Sequence, residues 1–139
     1  MNEDGFLAKI IRGDLPPAPI TRLLSWKFIE FDETTNTISV EMSARPEFIN
    51  PAGVVHGGML AAMLDETIAP AVAATLGPGE FAPTLEMKVS FMAPAKPGRI
   101  RGIGKVVSRG RTICFGEGRL LDDTDRLIAA ATASKPGWP

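Results

Sequence analysis

Residues His56–Gly77 read HGGMLAAMLDETIAPAVAATLG, and this run decides the fold. It is too long for a strand, and its Ala, Leu and Met content favours helix. Asp65, Glu66 and Thr67 are its only strongly polar interior positions. A helix that is apolar nearly all round must be wrapped by other protein rather than lie on a surface. Gly77 and Pro78 supply a stop. Pro70 has no N–H to give the carbonyl of Glu66, so a kink is expected one turn beyond Asp65. A membrane span is not expected, because two carboxylates sit mid-run and no basic residues anchor the flanks.

Upstream, residues 3–12 predict a short helix with Phe6, Leu7, Ile10 and Ile11 on one side, stopped by GDLPPAP at 13–19. Two strands are expected over Leu23–Phe31 and Thr37–Met42, joined by the turn DETTN. The segment RPEFINPAGVV at 45–55 is too rich in Pro and Gly to be regular. Downstream, strands are expected over Pro83–Met92, Gly98–Ser108, Thr112–Leu121 and Leu127–Ala133, separated by APAKPG, SRGR and DDTD. The pattern predicts an α+β fold, a curved antiparallel sheet around a long central helix, with the last four strands as a meander. It spans 1–139 as one domain, with 1–19 a helix and Pro-rich connection and 135–139 a loose tail, KPGWP.

Composition narrows the chemistry. The 139 residues carry 45% apolar and 22% charged side chains, which fits an ordinary globular domain. The one cysteine, Cys114, excludes an intramolecular disulfide, and with a single histidine no zinc site of His and Cys ligands can form. No metal and no cofactor are expected. Cys114 lies in the alternating stretch TICFGEGRL, where core packing is the better reading than nucleophile. The N-terminal MNEDGFLAKIIRGDL lacks the apolar run of a signal peptide, so a cytoplasmic location is expected.

The net charge of −1 hides an asymmetry. Between Glu86 and Glu117 there is no acidic residue, but Lys88, Lys96, Arg99, Arg101, Lys105, Arg109 and Arg111 make a local +7 against −8 elsewhere. Either these charges merely solvate strand faces, or they mark a localised anionic ligand; bulk binding of nucleic acid or membrane is not expected.

No G-x-S-x-G elbow is present, and GIGKVV and GEGRLL fail the third glycine of a dinucleotide loop. The informative region is Asn50–Asp65. His56, Gly57 and Gly58 stand where loop becomes helix, and the first amides of a helix have no intrahelical partner. Such amides can hold a developing oxyanion, and glycine allows close approach. The competing reading makes His56 a helix cap and the glycines a packing device. Asp65 shares a small apolar face with Ala61, Ala62, Ala69 and Val72. A poorly solvated carboxylate there would be a better base. Glu66 points elsewhere and is expected to be solvated or paired.

Gly57 and Asp65 are about 12 Å apart along a helix rising about 1.5 Å per residue. An oxyanion donor and a base should both lie within about 3 Å of the reacting group. One helix cannot place both at one centre. If both act, they come from two subunits, with helices antiparallel across a two-fold axis.

The string NPAGVVHGGMLAAMLDE at 50–66, followed by TLEMKVSFMAPAKPG at 84–98, resembles the hotdog-fold acyl-CoA thioesterases, in particular the phenylacetate-degradation branch. The resemblance covers roughly residues 20 to 134. It implies a curved sheet wrapped on a long helix, homodimers that join their sheets and commonly pair into homotetramers, and active sites at the subunit interface. It implies that the Gly57 amide polarises the thioester carbonyl and that Asp65 acts as nucleophile or as base toward water. Asn50 and His56 would orient the thioester, and Thr84 would position water. Coenzyme A, part of the substrate rather than a cofactor, carries phosphates that the basic stretch could meet. Arg109 and Arg111 beside Gly110 are the first candidates and Lys96 a further one, and Gly58 is expected among the substrate-binding residues. Two rivals stand: a hydratase or dehydratase of acyl thioesters on the same fold, and a non-catalytic acyl-CoA-binding module.

Overall fold

The computed structural model describes residues 1–136. Helix α1 spans Phe6–Arg12 and α2 Pro19–Leu23; strands β1 and β2 span Lys27–Asp32 and Thr37–Ala44. The long helix α3 covers Gly57–Ala73, and β3 to β6 follow at Glu86–Phe91, Gly98–Arg109, Ile113–Leu121 and Leu127–Pro136. All pairings are antiparallel in an open sheet of order β1-β2-β4-β5-β6-β3. This is the hotdog arrangement, with α3 packed across β2, β4, β5 and β6.

Four glycines seat the helix. A Cβ at Gly102 or Gly104 would collide with Thr67 of α3, and one at Gly116 or Gly118 would come within 2.7 or 2.8 Å of Ile68. Bare backbone on β4 and β5 therefore lets α3 settle directly on the sheet. The Thr67 hydroxyl, fully buried by this contact, donates to the Met63 carbonyl at 2.7 Å. Around that seam Ile38, Val40, Met42, Ile100, Leu120 and Ile128 are buried. They project from alternating strand positions, as a half-buried sheet requires.

Several sequence expectations are corrected. The first strand begins at Lys27, not Leu23, because Pro19 opens a second short helix at its first position. Ser25 then turns the chain at φ 53°, and Leu24 is buried instead of lying in a strand. In α1 the buried residues are Leu7 and Ala8; Phe6 and Ile11 are exposed. The last four strands are not a simple meander. β4, β5 and β6 follow one another, but β3 pairs with β6 at the far edge and β2 pairs with β4. The tail expected to be loose from 135 onward instead extends β6, since Lys135 and Pro136 pair with Cys114 and Ile113. The rest of that tail, 137–139, lies outside the described residues.

Helix α3 runs unbroken through Pro70 and ends at Ala73 rather than at Gly77. The carbonyl of Glu66, left without a donor by Pro70, accepts instead from the indole N–H of Trp26 at 2.9 Å. After Ala73 the chain winds off in tight turns, Thr75 N–H to Val72 and Leu76 N–H to Ala73. Among the described residues no helix is long and apolar enough to cross a membrane.

Candidate active site

The site starts at the loop before α3. Asn50 closes an Asx turn, its side-chain oxygen accepting from the amides of Ala52 at 3.0 Å and Val54 at 3.3 Å. Its own amide donates to the Val54 carbonyl at 2.8 Å, and Val55 bonds to the Ala95 carbonyl at 2.8 Å. These contacts fix the point where the helix begins.

His56 is the N-cap. Its Nδ1 accepts the Gly58 amide at 2.9 Å, which leaves Nε2 to carry the ring proton on an exposed side chain. The capping alternative for His56 is therefore realised, and the Gly58 amide is already spoken for. The Gly57 amide is different. Among the described residues it has no acceptor, and it sits at the positive end of the helix dipole. The Phe91 ring lies over Gly57 so closely that a Cβ there would be 3.2 Å from it.

Two turns on, Asp65 is half-buried on the small face of α3. Thr84, in the extended segment two residues before β3, donates its hydroxyl to Asp65 Oδ1 at 2.7 Å. The geometry thus brings Asp65 and Thr84 together. Gly57 remains about 12 Å away along the same helix. Lys135, which nothing in the sequence reading singled out, donates to Thr84 Oγ1 at 2.7 Å and to the Ala82 carbonyl at 3.2 Å. It is 2% exposed. Burial pushes its ammonium group down from the ordinary lysine value, with Asp65, Cys114 and Glu66 acting against that. The signal that could have found it is the alternation of β6, in which Ala131, Ala133 and Lys135 all face inward.

Glu66 was expected to be solvated or paired, but it is half-buried with no ion-pair partner among the described residues. Burial, then the neighbouring Asp65, raises its carboxyl above the usual carboxylate value, and Lys135 opposes this. It lines an apolar groove of about 710 Å³ that α1, α2 and the Glu66, Ala69, Pro70 and Ala73 side of α3 form with Phe6, Ile10 and Trp26. Cys114 is buried in the core, and its thiol is raised by burial.

The basic stretch is divided in space. β4 runs from Gly98 to Arg109, and twelve residues at about 3.3 Å each put its ends more than about 30 Å apart. Lys96 is exposed beside the start of α3, whereas Arg109 lies at the other end, bonded to the Thr75 hydroxyl and 3.6 Å from Glu80. Arg111 is exposed at the same turn, where the Gly110 amide donates to Ile113 at 2.8 Å. Arg99 and Arg101 are also paired, with Glu41 at 3.7 Å and Asp125 at 3.1 Å. The +7 of the sequence is therefore partly neutralised by acids from elsewhere in the chain.

A six-stranded antiparallel sheet of this order packed on one long helix defines a hotdog-fold protein. The family model described as the thioesterase superfamily matches residues 52–129, and the chain belongs to that family. It is 31% identical over 99 residues to human acyl-coenzyme A thioesterase 13, covering 68% of this chain and 69% of that one. A crystal structure of a phenylacetic acid degradation-related protein from Ralstonia eutropha JMP134 superposes with a TM-score of 0.91 at 35% identity, covering 94% of this chain and 98% of that one. The E. coli PaaI protein from the phenylacetic acid degradation operon has the same fold, with a TM-score of 0.81 at 16% identity over 94% and 91% of the two chains.

Proposed function

We propose that the protein is a cytoplasmic acyl-CoA thioesterase whose active site is completed by a second copy of the chain. The observation that carries this reading is Asp65: a half-buried carboxylate with one oxygen held by Thr84, on the helix whose first amide, at Gly57, has no acceptor among the described residues. In the proposed reaction the thioester carbonyl takes the Gly57 amide of the neighbouring subunit. Water adds to the carbonyl carbon as its proton passes to Asp65. The C–S bond breaks, and the departing thiolate takes that proton. Asp65 attacking directly would give the same products through an anhydride. Asn50 sets the loop and His56 the helix start, so both act by orienting Gly57.

The pairing is supported by edge strand β3, which among the described residues is unpaired on one side and has exposed Leu85, Phe91 and Met92 at or beside it. Joining two such edges about a two-fold axis makes the helices antiparallel. With the partner's Gly57 opposite Asp65, the C-terminal end of one helix and the approach to the other helix extend in the same direction. Arg109 and Arg111 of one subunit and Lys96 of the other then lie toward the same end of the site, where the phosphates of coenzyme A would be met. The apolar groove beside Glu66 and Ala69 suits the acyl or aryl group. The protein requires no cofactor on this reading, and dimers can pair into tetramers.

The test is hydrolysis of an acyl-CoA panel by wild type and Asp65→Ala, with oligomer size measured alongside. Turnover retained by Asp65→Ala would remove Asp65 from the reaction. Heterodimers of Asp65→Ala with a Gly57→Val chain should recover about one working site of two, so an equal mixture should recover about one in four, and no recovery would sink the shared site.

A further inference from the structure

Lys135 presents a problem that hydrolysis by Asp65 and Gly57 leaves unsolved. It sits at an inward-facing position of β6 opposite Cys114, after Ala131 and Ala133 on the same face. Leu85 donates to the Ser134 carbonyl at 2.9 Å, which lays the Thr84 segment alongside the end of β6. A lysine buried to this degree is costly, because its ammonium gives up most of its water. An apolar residue would pack there without that cost. What the ammonium obtains is two acceptors, the Ala82 carbonyl at 3.2 Å and Thr84 Oγ1 at 2.7 Å.

Those two bonds carry directional information. A lysine ammonium can only donate, and a threonine hydroxyl has one proton to give. When Lys135 donates to Thr84 Oγ1, the Thr84 proton is committed to its other neighbour, Asp65 Oδ1, at 2.7 Å. The chain of bonds therefore has one sense only, from Lys135 through Thr84 to Asp65. Oδ1 is held and Oδ2 is left for water or for the thioester.

We propose that Lys135 is a positioning residue of the Asp65 site, acting through the Thr84 hydroxyl to fix the rotamer of the Asp65 carboxylate. The inference rests on the thioester-hydrolysis reading of the same site. Deprotonated Lys135 gains a lone pair. The Thr84 hydroxyl can then turn its proton toward Nζ and release Asp65. Activity is therefore lost as pH rises through the Lys135 titration, and burial brings that loss below the ordinary lysine range. The groups that face or flank Lys135 are Asp65 and Glu66 on α3 and Cys114 on β5, with Arg109 of β4 acting on Cys114.

The experiment follows kcat and KM against pH for wild type, Lys135→Met, Lys135→Arg, Thr84→Val and the double variant Lys135→Met/Thr84→Val, each checked for folding by circular dichroism. Lys135→Met should lower kcat about 10- to 100-fold with KM little changed, the loss of a charge-assisted hydrogen bond. It should also abolish the alkaline limb. Arginine stays protonated, so Lys135→Arg should recover part of the rate and carry the limb to higher pH. In the Thr84→Val background the Lys135→Met change should cost less than about twofold, because its route is already cut. A folded Lys135→Met enzyme with wild-type kcat and an unchanged alkaline limb would overturn the proposal, as would an equal cost in both backgrounds.

A second measurement does not need turnover. The 15Nζ titration of Lys135 should move to lower pH in Asp65→Asn, which removes the carboxylate that favours its charged form. An unmoved titration overturns the coupling even if Lys135→Met fails to fold. Wild type that hydrolyses no ester of the panel, with the titration shifted as expected, would instead refute the thioesterase reading and leave the Lys135 to Asp65 connection standing.

Discussion

The indole of Trp26 occupies the place of a hydrogen-bond donor that Pro70 cannot supply: its N–H reaches the Glu66 carbonyl at 2.9 Å, inside an otherwise continuous helix. Proline normally breaks a helix interior for two reasons, the missing N–H and the clash of its ring. Here the first is answered from outside the helix, by a residue forty positions upstream.

Trp26→Phe should therefore destabilise the protein by about 0.5–1.5 kcal/mol, the net contribution of a part-buried hydrogen bond. Pro70→Ala restores the helical N–H, so Trp26→Phe should cost clearly less in that background. Urea unfolding of the four chains reads the coupling. Equal costs in both backgrounds would mean that Trp26 acts by packing alone.

The glycine seat of α3 makes a graded prediction. At Gly104 a Cβ meets the carbonyl of Thr67, which is helix backbone, whereas at Gly118 it meets side-chain atoms only, Ile68 Cγ1 at 2.8 Å and Cδ1 at 3.2 Å. Overpacking typically costs about 1–3 kcal/mol. Gly118→Ala should fall near the lower end of that range and Gly104→Ala at its upper end or beyond. The reverse order in thermal or urea unfolding would show that the helix is not seated on Gly104.

Glu66 gives a pH test. Its carboxyl is raised in the folded state by burial, then by Asp65, so the folded chain holds that proton more tightly than the unfolded chain. The resulting stability is complete below the unfolded value of 4.5 and is lost as pH rises through the folded value. Glu66→Gln should accordingly raise the melting temperature at neutral pH and leave it near wild type at pH about 4. A variant no more stable at neutral pH would contradict the burial cost.

The split basic stretch predicts a difference between substrates. Arg111→Ala and Lys96→Ala should each raise KM for an acyl-CoA by up to roughly fivefold, the scale of an exposed charge pair, with kcat unchanged. The effect should weaken in high salt. The same variants should be indifferent with an acyl-N-acetylcysteamine ester, which has no phosphate. Equal changes with both substrates would remove the phosphate contact from the reading.

The central helix was legible because a long Ala, Leu and Met run leaves no strand alternative, and Asp65 stood out as a charge on its small face. The site around Asp65 was half legible. Thr84 was named from the family resemblance, but Lys135 was hidden by its context: KPGWP reads as a loose end, and the inward alternation from Ala131 through Ala133 shows its meaning only when β6 is known to extend to Pro136. Strand order was not legible, since nothing local to Glu86–Phe91 says that its partner lies beyond two further strands. The basic stretch misled for a simple metric reason. Neighbours in sequence along β4 are carried apart by its length, and Arg99, Arg101 and Arg109 meet acids from distant segments.

The bond from Trp26 to Glu66 also leaves the protein with a native optical reporter. The chain has two tryptophans, and the other is Trp138. In a Trp138→Phe background every indole photon would come from a ring anchored to the residue beside Asp65, so ligand arrival in the adjacent groove could be followed by emission and quenching, without a label and without turnover.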